Sequence, residues 1–220
     1  MKPMISKHAA LLEPLPETAY FLQPNDLEAA AKVMAAAFSR DPSIRYLLGG
    51  EAEGPADWRY FLTLLRAVYG KCLILSSDSS IPELLVLFPP ELKSVPTLRF
   101  FIKGGLGLCR FFAPPLFLRS LNYEKNCQRI KARFFTFHTW YCLCFVVQPD
   151  KQGQVRGSHL IRPVLQAMEN SRLPLYIETH KEVNTHIYQH FGFRTVDIST
   201  IPGTAATQYA MLRGGYSAEG

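Results

Sequence analysis

The stretch PDKQGQVRGSHL, residues 149–160, joins an apolar segment to an amphipathic one and decides the fold class. The segment before it, WYCLCFVV at 140–147, is rich in aromatic and β-branched residues, which is typical of a strand buried on both faces of a sheet. After it, apolar residues recur with the period of one helical face, at Leu160, Ile161, Val164, Leu165 and Met168. The sequence therefore predicts a strand, a glycine-bearing turn and a helix that begins near Gly157.

This turn has the chemistry of a phosphate-binding site. The first N–H groups of a helix lack intrahelical partners, and Gly153 and Gly157 allow a ligand to approach the backbone closely. Lys151 and Arg156 add positive charge beside those groups. By itself, the turn is equally compatible with an ordinary connection between a strand and a helix, because glycine turns are common in α/β proteins.

The downstream stretch LPLYIETHKEVNTHIYQHFGFRTV, residues 173–196, continues the same pattern. It predicts a short strand at 175–178, a short helix with Asn184 as its N-cap and Gly192 at its end, and a strand from 193. Together, PDKQGQVRGS and NTHIYQHFGF resemble the acyl-CoA motif and the tyrosine-bearing helix of the GCN5-related N-acetyltransferase (GNAT) superfamily. The puromycin N-acetyltransferase branch is the closest in pattern, and residues 27–48 resemble the first helices of the superfamily.

The resemblance implies an α/β fold with a mixed, mostly antiparallel central sheet. That sheet is expected to be splayed at the acyl-CoA site and to carry helices on both faces. One N-acetyltransferase domain is expected over 1–220, with a loose N-terminal extension at 1–17 and a variable helical region at 91–135 on the acceptor side. Local patterns add strands at 20–23 and 208–212, helices at 27–39 and 57–69, two helical segments within 96–135, and a hairpin of 72–76 with 83–88.

The implied activity is direct transfer of an acetyl group from acetyl-CoA to a primary amine of a small molecule, without a metal. Tyr188 corresponds to the tyrosine that protonates the leaving thiolate. For removing a proton from the amine, Glu178 is the first candidate and His138 the second, although Glu178 is as readily explained as a structural carboxylate. Contacts to the cofactor are expected from Phe145, Val146, Val147, Lys151, Gln152, Gly153, Gln154, Val155, Arg156, Gly157, Ser158 and Asn184.

Val155 departs from the superfamily pattern, which usually has glycine or alanine at this position. A β-branched residue does not easily take a positive φ. If the turn needs only right-handed helical geometry at Val155, valine fits and its amide still faces the phosphate. If the turn needs another geometry, affinity for CoA falls, and a non-catalytic CoA-binding or regulatory protein becomes the alternative function.

Composition is consistent with an enzyme in a reducing compartment. The chain has 24 Lys and Arg against 18 Asp and Glu, a net charge of +6 that suits an anionic ligand and is ordinary for a soluble protein. Its five cysteines show no CxxC spacing, so we expect reduced and mostly buried thiols, Cys142 and Cys144 sharing one strand face, and a cytoplasmic location. The oligomeric state is expected to be a monomer or a homodimer.

Two other kinds of partner and a metal receive less support. The very apolar residues 94–121 are interrupted by Arg99, Lys103, Arg110 and Arg119, so no integral membrane contact is expected. The basic, aromatic middle of the chain lacks a nucleic-acid reader motif, which leaves a nucleic-acid or membrane-surface module as the less favoured alternative. His186 and His190 have the spacing of two ligands on a helix, with His180 nearby, but Ile187 stands where a metalloprotease needs glutamate.

Overall fold

The computed structural model describes residues 19–48 and 57–214, except for the side chains of 108–117. The predicted extension at 1–17 lies outside the described residues. In chain order the elements are β1 (Tyr20–Phe21), α1 (Leu27–Ala37), α2 (Pro42–Leu48), α3 (Trp58–Val68), β2 (Leu73–Ser76), β3 (Glu83–Phe88), α4 (Thr97–Phe100), α5 (Leu106–Phe134), β4 (Trp140–Val147), α6 (Arg156–Asn170), β5 (Leu175–Thr179), α7 (Glu182–His190), β6 (Arg194–Thr200) and β7 (Thr207–Arg213).

The described strands form one seven-stranded sheet in the order β1-β2-β3-β4-β5-β7-β6. Neighbouring strands are antiparallel except for β4 and β5, which are parallel. The β4–β5 pairing covers only Trp140–Cys142 against Leu175–Ile177. Beyond Cys142 the two strands diverge, so the prediction of a mixed, mostly antiparallel sheet with a splay is confirmed.

Helices cover both faces of this sheet, and each face has its own core. On one face, α1, α3 and α5 pack through buried residues such as Met34, Leu65 and Ile130. On the other face, α6 buries the predicted stripe Leu160, Ile161, Val164, Leu165 and Met168. The alternating side chains of β4 contribute to both cores, which confirms that this strand is buried on both faces.

A β-bulge interrupts the alternation in the middle of β4. Val86 pairs with Cys144 and Leu87 with Cys142, so Leu143 is an extra residue opposite β3. The bulge places Cys142 in the core beside α6 and Cys144 in the core beside α1 and α3. The prediction that these two cysteines share one face is therefore wrong, because it assumed an uninterrupted period of two.

The region predicted to contain two helical segments forms α4 and α5, which are joined by a π-helical turn at Phe101–Gly105. Gly104 has a φ of 131° and kinks the helical path there. In the part of the chain that the structure describes, no helix combines the length and the apolar character needed to cross a membrane. This kinked path contributes Phe100, Phe101 and Gly105 to the wall of the cavity described next.

Candidate active site

A cavity of about 890 Å³ extends from the turn after β4 to the helices of the α1, α3 and α5 face. The turn residues Lys151–Ser158 line one end. Phe38, Tyr60 and Tyr123 line the other end, and Glu178 and Tyr188 also belong to the wall. A volume of this size lies within the range that small-molecule and cofactor sites occupy, about 300–1,000 Å³.

At the turn, the backbone geometry is that of a helix N-terminus preceded by a left-handed residue. Helix α6 begins at Arg156, one residue earlier than predicted, and Val155 is its N-cap with φ 62° and ψ −3°. The right-handed geometry that would have suited valine is therefore not the one present. The amide of His159 donates to the Val155 carbonyl, so the amides of Arg156, Gly157 and Ser158 are the ones that precede the first intrahelical bond.

At Gly157 the first turn of α6 lies close against β4. A Cβ atom there would lie 3.0 Å from Cζ of Phe145 and 3.1 Å from Cγ2 of Val147. Glycine therefore holds the helix N-terminus against the strand that lines the cavity. Gly153 takes a φ of 77°, and a Cβ atom there would meet no atom within 4 Å, so its role is in the turn geometry.

The structure brings every residue predicted to contact the cofactor to the wall of this one cavity. The set is Phe145, Val146, Val147, Lys151, Gln152, Gly153, Gln154, Val155, Arg156, Gly157, Ser158 and Asn184. Asn184 is not the N-cap of α7 as predicted, because the helix begins at Glu182 and its N-cap is Lys181, three residues earlier. Its Nδ2 donates to Oγ1 of Thr179 at 3.0 Å, which ties the first turn of α7 to the end of β5.

The splay leaves one edge of β4 facing the cavity. Pairing with β5 ends at Cys142, and the following residues up to Val147 pair only with β3 among the described strands. Strand backbone groups on an unpaired edge are free to bond a ligand that lies along them. The edge formed by Phe145–Val147 leads from the phosphate turn towards Tyr188.

Tyr188 lies on α7 and is 7% exposed. Its ring packs edge-on against Phe193, with 5.8 Å between the ring centroids. Burial, with smaller contributions from Cys142, Cys144 and Asp41, raises the pKa of Tyr188 well above the ordinary tyrosine value. The phenol therefore keeps its proton at neutral pH and can act as a proton donor.

Glu178 lies in β5 with its carboxylate held by two phenols. The Tyr141 hydroxyl donates to Oε2 at 3.1 Å, and the Tyr176 hydroxyl donates to Oε1 at 2.9 Å. Both carboxylate oxygens thus already accept a hydrogen bond from the protein. The arrangement fixes a negative charge beside the cavity.

His138 lies on the exposed loop between α5 and β4 and is not part of the cavity wall. The loop enters β4 at Trp140, whereas the phosphate turn follows Val147 at the other end of that strand. The structure therefore does not bring the second predicted base to the site. The physical reason is that proximity along the sequence to β4 does not specify which end of the strand a residue joins.

The three histidines whose spacing was considered for a metal site do not lie together. His186 and His190 are exposed on α7, and His190 contacts Arg162 at 3.3 Å, whereas His180 faces the cavity. Within residues 19–48 and 57–214, no group of three or more His, Cys, Asp or Glu side chains is arranged to hold a metal ion.

Sequence reasoning missed a buried polar cluster at the acceptor end. His180 contacts Tyr123 and Asp41, and all three line the cavity. The residues come from the end of β5, from α5 and from the start of α2, so no local motif joins them. The only signal in the sequence was the position of His180 just beyond the strand predicted at 175–178.

Aromatic rings and charges surround this cluster. Tyr60 packs edge-on against Phe61 and Phe100, with centroid distances of 5.3 and 5.9 Å. Lys131 is 3% exposed, and its Nζ lies 3.7 Å from the centroid of the Tyr141 ring. The acceptor end is therefore mainly aromatic with a few fixed charges, which include the carboxylates of Asp41, Glu124 and Glu178.

The four described cysteines are free thiols, as expected. Two of them, Cys127 and Cys144, line the cavity. Burial raises the pKa of Cys144 to about 12 and that of Cys127 well above the ordinary value. Neither supplies a thiolate nucleophile near neutral pH.

The sequence of this chain is similar to a known protein over part of its length. No model of a known protein family matches the chain. A stretch of 89 residues, 40% of this chain, is 36% identical to an uncharacterized N-acetyltransferase of Schizosaccharomyces pombe, and it spans 34% of that relative's length.

Two solved structures resemble the chain over most of its length. A Drosophila melanogaster polyamine N-acetyltransferase that forms N-acetylagmatine has a TM-score of 0.54 at 13% identity, covering 89% of this chain and 98% of its own. A Corynebacterium glutamicum structure described as histone acetyltransferase HPA2 and related acetyltransferase has a TM-score of 0.58 at 17% identity, covering 92% and 98%. The chain thus has the mixed α/β fold of these acetyltransferases.

Proposed function

We propose that this protein is an N-acetyltransferase that moves the acetyl group of acetyl-CoA directly onto a primary amine of a small molecule. One observation carries the proposal. A single cavity joins the helix N-terminus at Arg156–Ser158 to a protonated phenol, Tyr188, and to a fixed carboxylate, Glu178. Direct acyl transfer needs these three functions within reach of one another.

The phosphate end fits the pyrophosphate of acetyl-CoA. The amides of Arg156, Gly157 and Ser158 and the helix dipole favour an anion there. The side chains of Lys151 and Arg156 add two positive charges at the same end. The exposed edge of Phe145–Val147 then offers backbone groups to the amides of the pantetheine arm.

Transfer to the amine follows from the groups around the middle of the cavity. Tyr188 donates its proton to the departing sulfur. Backbone N–H groups of β4 polarise the thioester carbonyl. The buried cysteines stay protonated, which favours direct attack by the amine over a thioester formed on the protein.

The acceptor is a small primary amine, and its organic part contacts the rings of Phe38, Tyr60 and Phe100. The fixed carboxylate of Glu178 attracts the amine while it is still an ammonium ion. The structural similarity to a polyamine N-acetyltransferase is consistent with an amine acceptor but does not identify that amine. The puromycin N-acetyltransferase branch remains a prediction, as do a cytoplasmic location and a monomeric or homodimeric state.

Calorimetric titration of the whole chain with acetyl-CoA tests the cofactor site. We expect micromolar binding by the wild-type protein and a loss of at least tenfold in Arg156→Glu, because that variant reverses a charge beside the phosphate turn. Lys71→Glu makes the same charge change at an exposed residue between α3 and β2 and is expected to leave the affinity unchanged. Absence of binding by the wild-type protein would refute the proposal.

Turnover separates the enzyme from a non-catalytic CoA-binding protein, the alternative that the strained Val155 favours. Acetyl transfer is measured with 2-phenylethylamine and with agmatine. An enzyme acetylates at least one of these amines and loses most of its kcat in Tyr188→Phe. A protein that binds acetyl-CoA but acetylates neither amine, and whose affinity for acetyl-CoA is unchanged in Tyr188→Phe, would instead support the non-catalytic alternative.

A further inference from the structure

Three side chains at the acceptor end of the cavity form a continuous polar chain. The Tyr123 hydroxyl lies 3.3 Å from Nε2 of His180. On the other side of the ring, Nδ1 of His180 lies 3.7 Å from Oδ1 of Asp41. The side chains of His180 and Asp41 are 8% and 7% exposed, so the imidazole lies between a phenol and a carboxylate with little access to bulk water.

Asp41 is fixed independently of the histidine. Its Oδ1 accepts hydrogen bonds from the amide of Ser43 at 2.9 Å and from the Ser43 hydroxyl at 2.5 Å, and the amide of Ile44 donates to the same oxygen at 3.3 Å. These bonds cap the first turn of α2. These hydrogen bonds hold the carboxylate beside His180.

The partners of the imidazole select one neutral tautomer. The Asp41 carboxylate lies 3.7 Å from Nδ1, beyond hydrogen-bond distance, and its negative charge favours a proton on that nitrogen. In this tautomer the Nε2 lone pair accepts from the Tyr123 hydroxyl. The titratable groups that act on the ring are Asp41 before α2, Tyr123 on α5 and Glu178 on β5. Burial lowers the pKa of His180, and the Asp41 and Glu178 carboxylates oppose that effect. The ring is thus neutral and able to accept a proton at neutral pH.

The geometry points to Tyr123, His180 and Asp41 as the proton relay that deprotonates the acceptor amine, with Tyr123 contacting the amine and His180 receiving the proton. This inference rests on the proposed acetyl transfer and names the residues that prepare the acceptor for it. In this scheme Glu178 attracts the ammonium ion, and the hydrogen bonds from the Tyr141 and Tyr176 hydroxyls hold its carboxylate in place.

A relay is needed because a primary amine carries a proton at neutral pH. The ordinary pKa of an alkylamine such as a lysine side chain is about 10.4, so only about one molecule in a thousand is neutral at pH 7. The ammonium ion passes one proton to the Tyr123 oxygen as the Tyr123 hydroxyl passes its own to Nε2 of His180. Burial raises the pKa of Tyr123, which opposes a free phenolate and favours this concerted exchange.

The neutral amine then completes the acetyl transfer. The neutral amine nitrogen attacks the thioester carbonyl carbon, a C–N bond forms, and the C–S bond breaks with its electron pair on sulfur. Tyr188 gives its proton to that sulfur and regains one from the nitrogen of the new amide. The proton held by His180 leaves to solvent, so each turnover releases one proton, one amide and one free CoA thiol.

The test is the pH dependence of kcat/KM for acetylation of 2-phenylethylamine by the wild-type protein and three variants. The wild-type kcat/KM rises with pH as His180 loses its proton, which gives the pH profile an ascending limb. In His180→Gln we expect kcat/KM to fall about 100-fold, within the usual range for a proton-transfer group, and that limb of the profile to disappear. Tyr123→Phe, which breaks the relay at its first member, shows the same loss.

Asp41→Asn distinguishes a relay from a structural role. The amide oxygen of asparagine can still cap α2, so folding is kept while the charge beside His180 is removed. Because the carboxylate raises the proton affinity of the ring, the limb moves to lower pH in this variant. NMR titration of the His180 ring, assigned by its absence in His180→Gln, must show the same shift without any turnover. His186→Gln, at an exposed position of α7, is the matched control and keeps the wild-type profile.

Different results would refute the relay and the proposed function. If the wild-type protein acetylates the amine and His180→Gln keeps both the rate and the pH profile, the relay is wrong and the proposed function stands. An unmoved limb in Asp41→Asn would remove Asp41 from the relay and contradict it as stated. If the wild-type protein binds no acetyl-CoA and acetylates no amine, the proposed function and the relay are both refuted.

Discussion

Val155 carries the least favourable backbone conformation of the phosphate turn. Its φ of 62° lies in the left-handed region, where a side chain with a branched Cβ meets the neighbouring backbone. The side chain is 62% exposed, so little packing offsets this strain. The residues that follow Val155 nevertheless line the cavity. Valine therefore strains the phosphate-binding geometry without abolishing it.

Val155→Gly is expected to stabilise the protein by about 0.5–1 kcal/mol. Removing a left-handed strain of about 1–2 kcal/mol outweighs the extra entropy that glycine adds to the unfolded chain. Val183→Gly is the matched control, because Val183 is also 62% exposed but lies in the ordinary helical geometry of α7. We expect a loss of about 0.5 kcal/mol there. Urea unfolding measures both, and a loss of stability in Val155→Gly would contradict the assigned strain.

His180 makes folding depend on pH. Burial lowers its pKa below the ordinary value of 6.5, so between those two values the unfolded chain binds a proton that the folded chain does not. The free energy of unfolding must therefore fall as pH falls below about 6.5. His180→Gln removes this contribution, and we expect its urea midpoint to decrease less between pH 7 and pH 5 than that of the wild-type protein. An equal decrease in both, with His186→Gln as the reference, would show that His180 is not buried in its neutral form.

The contact between α6 and β4 is the element-level feature that positions the phosphate turn. The apolar stripe of α6 fixes the helix on the sheet, and Gly157 fixes the distance of its first turn from Phe145 and Val147. The bulge at Leu143 changes the alternation of β4 within the part of the strand that lines the cavity. Cofactor binding thus depends on backbone approach as well as on side-chain chemistry.

Gly157→Ala is expected to weaken acetyl-CoA binding by about tenfold and to destabilise the protein by about 1–3 kcal/mol. The added methyl group would lie 3.0 Å from Phe145 and 3.1 Å from Val147, so either α6 or these side chains must move. Gly107→Ala is the control, because a Cβ atom at that helical position meets no atom within 4 Å. We expect it to be neutral or to stabilise by up to about 1 kcal/mol. Calorimetry and urea unfolding measure the two effects, and unchanged acetyl-CoA affinity in Gly157→Ala would contradict the proposed role of this contact.

For the whole molecule, the cavity lies where elements from both faces of the sheet meet. Its wall includes Phe61 and Met34 from one core and Tyr188 and Ile177 from the other. A ligand in this cavity therefore contacts both halves of the hydrophobic structure. Its binding free energy is added to the stability of the folded chain as a whole.

Acetyl-CoA is accordingly expected to raise the stability of the whole protein in a single transition. At a free concentration of 100 times Kd, the free energy of unfolding should increase by about 2.7 kcal/mol. Thermal unfolding followed by both fluorescence and circular dichroism measures this shift. Arg156→Glu, with an affinity at least tenfold lower, should gain no more than about 1.4 kcal/mol at the same acetyl-CoA concentration. Separate transitions for the two probes would contradict coupling of the two cores through the ligand.

The sequence by itself determined the elements whose pattern is local. The bounds of β4, the buried stripe of α6, the hairpin of β2 and β3 and the glycine-bearing turn follow from apolar periodicity and turn chemistry within short windows. Motif resemblance added the set of residues around the phosphate turn, which the structure gathers at one cavity.

Only the tertiary structure decided the features that join distant residues or break a local period. The bulge at Leu143 separated Cys142 from Cys144, because register depends on the partner strand rather than on β4 alone. Packing of α2, α5 and β5 brought Asp41, Tyr123 and His180 together and left His138 outside the cavity. The physical reason is that periodicity reports which face of an element is buried, whereas contacts between elements depend on how those faces pack in three dimensions.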